Sequence, residues 1–277
     1  MILAAICIGT IGTLVKLIGP DVHFMTLNFY RFLIGFLFIL AVVPFIDKKT
    51  FKINKNDFKD YFFIGFLFAL GSLLFLAANV FGPVQNAVLI SSFSPFFVFI
   101  FAYWLLKERI TSTKIIALSI AVIGLAVINP FKIGEYALGN TLALLTAVVA
   151  ALTITEMRKV DMKHSIGVVF WMFLFATLLL LPMPFIFGFG NLSNVFIYVI
   201  LLGLIPSGVA YIFYNLALEK IEAEVGSILH IIVAPLVAIT LAVIIINEPI
   251  NIRIILGGFS LIVAGIYLET HNLQLKK

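Results

Sequence analysis

The chain has 277 residues, of which 63% are hydrophobic and only 11% carry a charged side chain. Soluble domains carry about 25% charged residues, so a soluble fold of this length would leave long apolar runs in contact with water. The composition therefore excludes an ordinary soluble protein and predicts one that lies within a lipid bilayer. The net charge of +5 comes from basic residues scattered in short gaps between apolar runs, which does not indicate nucleic-acid binding.

Ten apolar segments of about 17–24 residues follow one another along the chain, and each is long enough to cross ~30 Å of hydrocarbon as a helix. Only helices and closed barrels satisfy their backbone in lipid, and these runs are too long for barrel strands. The sequence therefore predicts an all-α integral membrane protein with ten transmembrane helices. The predicted spans are 2–18, 25–46, 60–80, 85–106, 113–130, 138–157, 166–187, 194–217, 225–246 and 252–268.

The start of the chain and its single cysteine further limit the classes of protein that the sequence allows. The apolar run from Ile2 has no basic flank before it and no small-residue cleavage site after it, so we expect a first membrane helix rather than a signal peptide. Cys7 lies within that run, which excludes an intramolecular disulfide and a thiol-based metal site. No Gly-rich loop with Lys occurs in a polar stretch, so we expect no ATP site and no cofactor.

The distribution of basic residues predicts the orientation of the chain. With the amino terminus in the cytoplasm, only four of the 18 basic residues fall on the outer side or the helix ends that adjoin it. This bias agrees with the positive-inside rule and predicts a multi-pass protein of the cell membrane with both termini in the cytoplasm. The four outer cations are Lys16, Arg31, Lys132 and Arg253.

Two stretches of the chain echo each other at an offset of 140 residues. "SPFFVFIFAYWLLKERI" (94–110) and "APLVAITLAVIIINEPI" (234–250) share their apolar pattern and place Pro and Glu at matching positions. Spans one to five are therefore predicted to repeat as spans six to ten. Because five is odd, the second copy crosses in the opposite direction, which gives two inverted five-helix repeats, residues 1–131 and 132–277.

These stretches, with "IGTIGTLVK" (8–16) and "NFYRFLIG" (28–35), resemble the EamA-like transporters of the drug/metabolite transporter superfamily. Ile8 stands where the family usually has Trp. The resemblance covers nearly the whole chain and implies a ten-helix permease with two EamA-type repeats and alternating access. It also implies a small-molecule substrate such as an amino acid, a nucleotide-type metabolite, a drug or a sugar derivative.

Prolines near the middle of three predicted spans suggest a solute site. Pro95 and Pro235 occupy equivalent repeat positions, and Pro206 lies in span eight. A proline has no N–H and leaves the carbonyl four residues earlier unpaired, which lipid tolerates only where protein or a wet cavity covers it. We therefore expect Pro95, Pro235, Ser91 and Ser94 to line a midplane site. The alternative is a packing kink, in which hydroxyls such as Ser94 or Ser207 satisfy the carbonyl.

Polar side chains within the spans are the remaining candidates for binding substrate. Arg31 has two interpretations: it forms a positive outer vestibule with Lys16, or it holds span two by bonding to backbone carbonyls or reaching the interface. His230 suits a proton relay or a substrate contact, or else bonds to a helix carbonyl. Three further residues could line a polar path or join helices by hydrogen bonds: Asn79, Tyr211 and Asn215.

A permease driven by a gradient is therefore the predicted function. The alternative is an intramembrane enzyme acting on a lipid or peptide, although the chain lacks the clustered acids or His–Glu–His metal set that such chemistry uses. A noncatalytic membrane scaffold is a third class, and it would not need an inverted repeat. The expected partners are the lipid bilayer and a small-molecule substrate, with no nucleic acid, and the sequence is compatible with a homodimer.

Overall fold

The computed structural model describes residues 1–46, 58–107, 112–128, 134, 136–159, 166–218 and 223–275. Within these ranges the regular secondary structure is helical. The helices of the first part are α1 (Ile2–Gly9), α2 (Ile11–Ile18), α3 (Phe24–Ile46), α4 (Phe58–Phe81), α5 (Val84–Ser91), α6 (Ser94–Leu106) and α7 (Ser112–Ile128). Those of the second part are α8 (Ala137–Lys159), α9 (Ile166–Leu180), α10 (Met183–Phe187), α11 (Phe196–Gly203), α12 (Ala210–Leu218), α13 (Ala223–Ile246) and α14 (Ile252–Leu275).

Seven helical segments of the described chain are long and apolar enough to cross a membrane. They are Ile2–Asp21, Phe24–Ile46, Phe58–Phe81, Val84–Leu106, Ala137–Met157, Gly167–Phe187 and Phe196–Tyr214. Three shorter apolar helices are Ile115–Gly124, Val233–Ile246 and Ile252–Tyr267. The all-helical, multi-span architecture is confirmed, while ten crossings in two inverted repeats stay a prediction.

Two of the predicted continuous spans are interrupted. Span four was predicted as one crossing, with Pro95 either lining a site at a helix break or forming a packing kink. In the structure α5 ends at Ser91 and α6 begins at Ser94, so Pro95 lies in the first turn of a new helix. A helix tolerates proline there because that N–H has no partner within the helix in any case. Span eight is interrupted by a π-helical segment, Leu204–Val209, which contains Pro206.

Pro235 behaves differently, because it lies inside the continuous helix α13. α1 approaches α13 closely beside this proline: a Cβ atom added at Gly9 would lie 2.9 Å from the carbonyl oxygen of Ala234 and 2.8 Å from Cβ of Val237. Small residues allow such close contact between helices in lipid. Gly9 thus lets α1 pack directly on α13 at Ala234 and Val237.

Apolar side chains cover both the inside and the outside of the bundle. Inside, the ring of Phe173 in α9 lies 5.3 Å from the ring of Phe32 in α3 and 5.3 Å from the ring of Tyr211 in α12. Outside, Phe45 and Ile244 are 90% and 70% exposed. Helices that are apolar on all sides fit a lipid environment, because hydrocarbon covers the faces that protein leaves open.

Candidate functional site

A cleft of about 660 Å³ opens where α4 meets α5 and α13 meets α14. Helix ends build it, because the turn after α4 and the loop after α13 lie beside the last turn of α2. A smaller cavity of about 220 Å³ lies alongside and shares Lys16 and Val80 with the cleft. The polar side chains that line the cleft are Lys16, Gln85, Asn86, Tyr136, Glu248, Asn251 and Arg253.

Glu248 joins the loop after α13 to the start of α5. One carboxylate oxygen accepts a hydrogen bond from the backbone N–H of Val84 at 2.8 Å, and the other accepts from the N–H of Gln85 at 3.3 Å. The first N–H groups of a helix have no partner within it and favour a negative charge, so Glu248 is a cap supplied from a distant part of the chain. The carboxylate therefore joins Glu248 to Val84 and Gln85, which lie 164 and 163 positions away in the sequence.

The backbone at the end of α13 places Glu248 in this position. Asn247 adopts a left-handed conformation with φ 59°, and the N–H of Glu248 bonds to the carbonyl of Ala242 at 3.1 Å. This is the usual way for a helix to end, with one left-handed residue after it, and asparagine tolerates that conformation well. The turn sends Glu248 back toward α5.

Gln85 lies at the floor of the cleft with 1% of its surface exposed. Its side-chain amide donates to the carbonyl of Pro249 at 3.3 Å, and its Oε1 accepts no hydrogen bond within the described part of the chain. Leaving a buried acceptor unpaired costs about 1–3 kcal/mol. Next to it, Asn86 donates to Oδ1 of Asn140 at 3.1 Å, which ties α5 to α8.

The charges of the cleft are unequal. Lys16 lies half-buried in the last turn of α2, and Arg253 lies exposed in the first turn of α14, where Asn251 caps the helix. Glu248 is the one carboxylate among the described lining residues, and backbone N–H groups occupy both its oxygens. The cleft thus presents two cations and one engaged anion.

A second polar site, fully buried, surrounds Arg31. Its Nε donates to Oγ of Ser207 at 2.8 Å, and its Nη1 donates to Oγ of Ser72 at 2.9 Å. Ser72 in turn donates to Oδ1 of Asn28 at 2.8 Å, and Ser207 donates to the carbonyl of Leu202 at 3.3 Å. The network joins α3, α4 and the π-helical segment, so Arg31 acts as a hydrogen-bonded cross-link between helices.

The structure places Arg31 and Lys16 in different sites. Arg31 was expected to share a vestibule with Lys16, or else to bond to backbone carbonyls or reach the interface. Arg31 is 3% exposed and donates to two serine hydroxyls. Lys16 instead lines the cleft, and the second cation there is Arg253. The expected hydroxyl bond at Pro206 is present, because Ser207 bonds to the carbonyl of Leu202.

The other predicted site residues whose side chains are described do not line the cleft. Ser91 donates to the carbonyl of Ala87 at 2.6 Å, Ser94 begins α6, and Pro235 is buried in α13. Asn79 donates to the carbonyl of Phe75, and its Oδ1 has no partner within the described chain. Tyr211 packs between the rings of Phe68 and Phe173. The side chains of Asn215 and His230 lie outside the described part of the structure.

The sequence missed Gln85 and Asn86 as lining residues. Both lie just after a predicted loop, and nothing in their local pattern distinguishes them from ordinary helix-start residues. A signal did exist for Lys16 and Arg253, because both belong to the minority of basic residues on the predicted outer side. Glu248 also had a signal, because the stretch 234–250 repeats the Pro and Glu positions of the stretch 94–110.

Fold and site together define a multi-span membrane protein of bundled helices, with a polar cleft where two distant parts of the chain meet. A sequence model of the EamA-like transporter family matches residues 1–129 and 137–270. The chain belongs to the EamA-like transporter family. It is accordingly a membrane protein of a family that transports small solutes.

Relatives that are named as transporters or exporters agree with membership in this family. An uncharacterized transporter of Clostridium kluyveri is 27% identical over 87% of this chain and 82% of its own length. The pseudopaline exporter CntI of Pseudomonas aeruginosa is 26% identical over 66% of this chain and 64% of its own length. The uncharacterized transporter YoaV of Bacillus subtilis is 25% identical over 86% of this chain and 84% of its own.

One solved crystal structure shares the fold across almost the whole chain. Its TM-score is 0.69 at 16% sequence identity, and the match covers 99% of this chain and 96% of the other. At this identity the likeness concerns the fold alone.

Proposed function

We propose that the chain is a gradient-driven permease, which moves a small solute across the cell membrane by alternating access between two inverted five-helix halves. The observation that carries the proposal is the cleft of about 660 Å³ in a protein of a transporter family. Its walls come from α2, α4 and α5 of the first half and from α13 and α14 of the second. A movement of one half against the other would therefore change its shape.

The packing of the helices supports the inverted repeat. In that repeat, α4 corresponds to the stretch from α11 to α12, and α8 corresponds to α1 with α2. α4 packs on α8, and equivalently α11 packs on α2 and α12 packs on α1. Likewise α5 and α6 pack on α8, as α13 packs on α1 and α2. Such mutual correspondence is expected of two halves related by a pseudo-two-fold axis.

Local details at equivalent positions add support. Lys107 and Asn247, which are 140 residues apart, are the two non-glycine residues of the described chain with positive φ, at 56° and 59°. Lys107 and Asn247 each follow the last residue of a helix. The hydrogen bonds that close these two helix ends are accepted by the carbonyl groups of Ala102 and Ala242, which are again 140 residues apart. α7 and α14 pack along each other, and Ser260 donates to the carbonyl of Ile120 at 3.0 Å.

The bonds of Glu248 suggest how the cleft changes between states. They connect the second half to the first through two backbone N–H groups. We propose that this tie holds the observed arrangement, in which the cleft opens on the side of Lys16 and Arg253, and that it is broken in the opposite state. Lys16 and Arg253 lie on the predicted outer side, so the observed state would face outward.

Uptake into vesicles tests the proposal. The purified full chain in proteoliposomes should move a small solute from a panel of amino acids, nucleosides and organic acids down an imposed gradient, without ATP. Glu248→Leu removes the two bonds that the Glu248 carboxylate makes to the first half and should lower the flux several-fold by disturbing the balance of the two states. Asp60→Asn, an exposed acid in the first turn of α4, serves as the matched control and should leave the flux unchanged.

Three results would contradict the proposal or a part of it. Folded protein that moves no solute of the panel above the level of empty vesicles would exclude permease function for that panel. Chemical conversion of lipid or peptide without net solute movement would favour the enzyme instead. Equal flux of wild type and Glu248→Leu would remove the proposed gating role of the tie.

A further inference from the structure

Two of the four cations assigned to the outer side line the same cleft. Fewer Lys and Arg residues are found on the outer side of membrane proteins, so those that occur there call for a reason. Arg253 also lies in the first turn of α14, where the helix dipole disfavours a positive charge by about 0.3–1 kcal/mol. Its position together with Lys16 is therefore not explained by local helix stability.

The carboxylate in the cleft does not neutralise both cations. Glu248 accepts from the N–H groups of Val84 and Gln85 and also attracts Lys16, so its single charge is shared between the amino terminus of α5 and one of the cations. Counting formal charges, the described lining residues carry a net charge of one positive unit. An anionic group between Lys16 and Arg253 would balance it through charge-assisted hydrogen bonds, which are about twice as strong as neutral ones.

A third observation indicates a hydrogen-bond donor on the ligand. Gln85 lines the cleft with 1% exposure, and its Oε1 is an acceptor without a partner in the described chain. An N–H or O–H group of a ligand would satisfy it after a small rotation of the side chain. The cleft volume of about 660 Å³ falls in the range of about 300–1,000 Å³ that holds small organic ligands.

We propose that the cleft binds an organic solute of net charge −1, with its carboxylate between Lys16 and Arg253 and an N–H or O–H donor near Oε1 of Gln85. The inference rests on the proposed function, because it names the substrate class of the same cleft. Asn86 and Asn251 offer further polar contact along the walls.

Matched pairs of acids and amides test this assignment. The probes are N-acetylphenylalanine with its primary amide, and succinamate with succinamide, so that each pair differs in the carboxylate alone. Binding to the full chain in lipid nanodiscs is measured by titration calorimetry and by the midpoint of thermal unfolding. The acid of at least one pair should bind at least about tenfold more tightly than its amide, as expected for one charge-assisted contact.

Variants locate the contacts. Lys16→Met and Arg253→Gln should each reduce acid binding about tenfold and leave the weak binding of the amide unchanged. Lys59→Met, an exposed cation at the far end of α4, is the matched control and should have no effect. Gln85→Met should weaken N-acetylphenylalanine but not 3-phenylpropionate, which has the carboxylate but no N–H donor.

The outcomes separate this inference from the proposed function. Amides that bind as tightly as acids, or no binding by either acid, would overturn the assignment, as would an equal loss in Lys59→Met. If the acids bind but do not cross the proteoliposome membrane, the anion site is supported and the permease function is rejected. If neutral solutes are transported as well as anions, and Lys16→Met does not change transport, the permease function is retained and the anion site is rejected.

Discussion

Pro95 and Pro235 occupy equivalent positions in the proposed repeat, yet only one of them coincides with a helix break. The residues before them are "SSFS" (91–94) in the first copy and "IIVA" (231–234) in the second. α5 ends and α6 begins around the serines, whereas α13 continues through its proline. A proline near the middle of a membrane helix is therefore not sufficient to divide it.

Serine hydroxyls at the break distinguish the first copy from the second. Ser91 and Ser92 donate to the carbonyls of Ala87 and Val88 at 2.6 and 2.8 Å, in competition with the helical backbone. The N–H of Phe93 then bonds to the carbonyl of Ile90 at 3.1 Å, a tighter turn than that of an α-helix. Apolar residues before Pro235 offer no such alternative partner, so the helical path is retained.

The largest expected effect concerns the continuous helix. Gly9→Leu would place side-chain atoms where Val237 and the carbonyl of Ala234 already lie, within 3 Å of the new Cβ. Overpacking of this kind should lower the free energy of unfolding by about 3 kcal/mol or more. Unfolding in detergent, followed by circular dichroism, measures it, with Ile6→Leu on the exposed face of α1 as the control. A loss below about 1 kcal/mol would mean that α1 does not need this close contact with α13.

An intermediate effect is expected at the third proline. Ser207→Ala leaves Nε of Arg31 and the carbonyl of Leu202 without their partner, and the first of these is a buried charged donor. The variant should lose about 2–3 kcal/mol in the same assay. Ser260→Ala, which removes one neutral bond to Ile120, should lose only about 1 kcal/mol. Equal losses would show that the charge of Arg31 is not stabilised by Ser207.

The smallest expected effect concerns the broken helix itself. The double variant Ser91→Ala, Ser92→Ala removes the competing hydroxyl bonds and should change stability by less than about 1 kcal/mol, since each back-bond is weak. Without them the helix should become straighter. Spin labels at the exposed positions Val80 and Tyr103, in a Cys7→Ser background, should then report a longer distance. An unchanged distance would assign the break to Pro95 alone.

Several features of the fold follow directly from local sequence. Apolar runs of membrane length predicted the helices, because a backbone in lipid must satisfy its own hydrogen bonds. The break near Ser91 follows local signals too, because serines and Pro95 stand together there. By contrast, the sequence left two interpretations of Arg31 open, because the depth of a residue in the membrane does not say which face of the helix it occupies.

The sequence by itself determined that this is a helical membrane protein of the EamA type. Only the tertiary structure decided that Arg31 meets Ser207 across 176 residues and that Glu248 caps α5 across 164. The physical reason is that these helices are apolar on all sides. Lipid and protein cover such faces equally well, so composition does not mark the face that packs inside. The polar contacts, and the cleft with them, appear only when the helices are packed together.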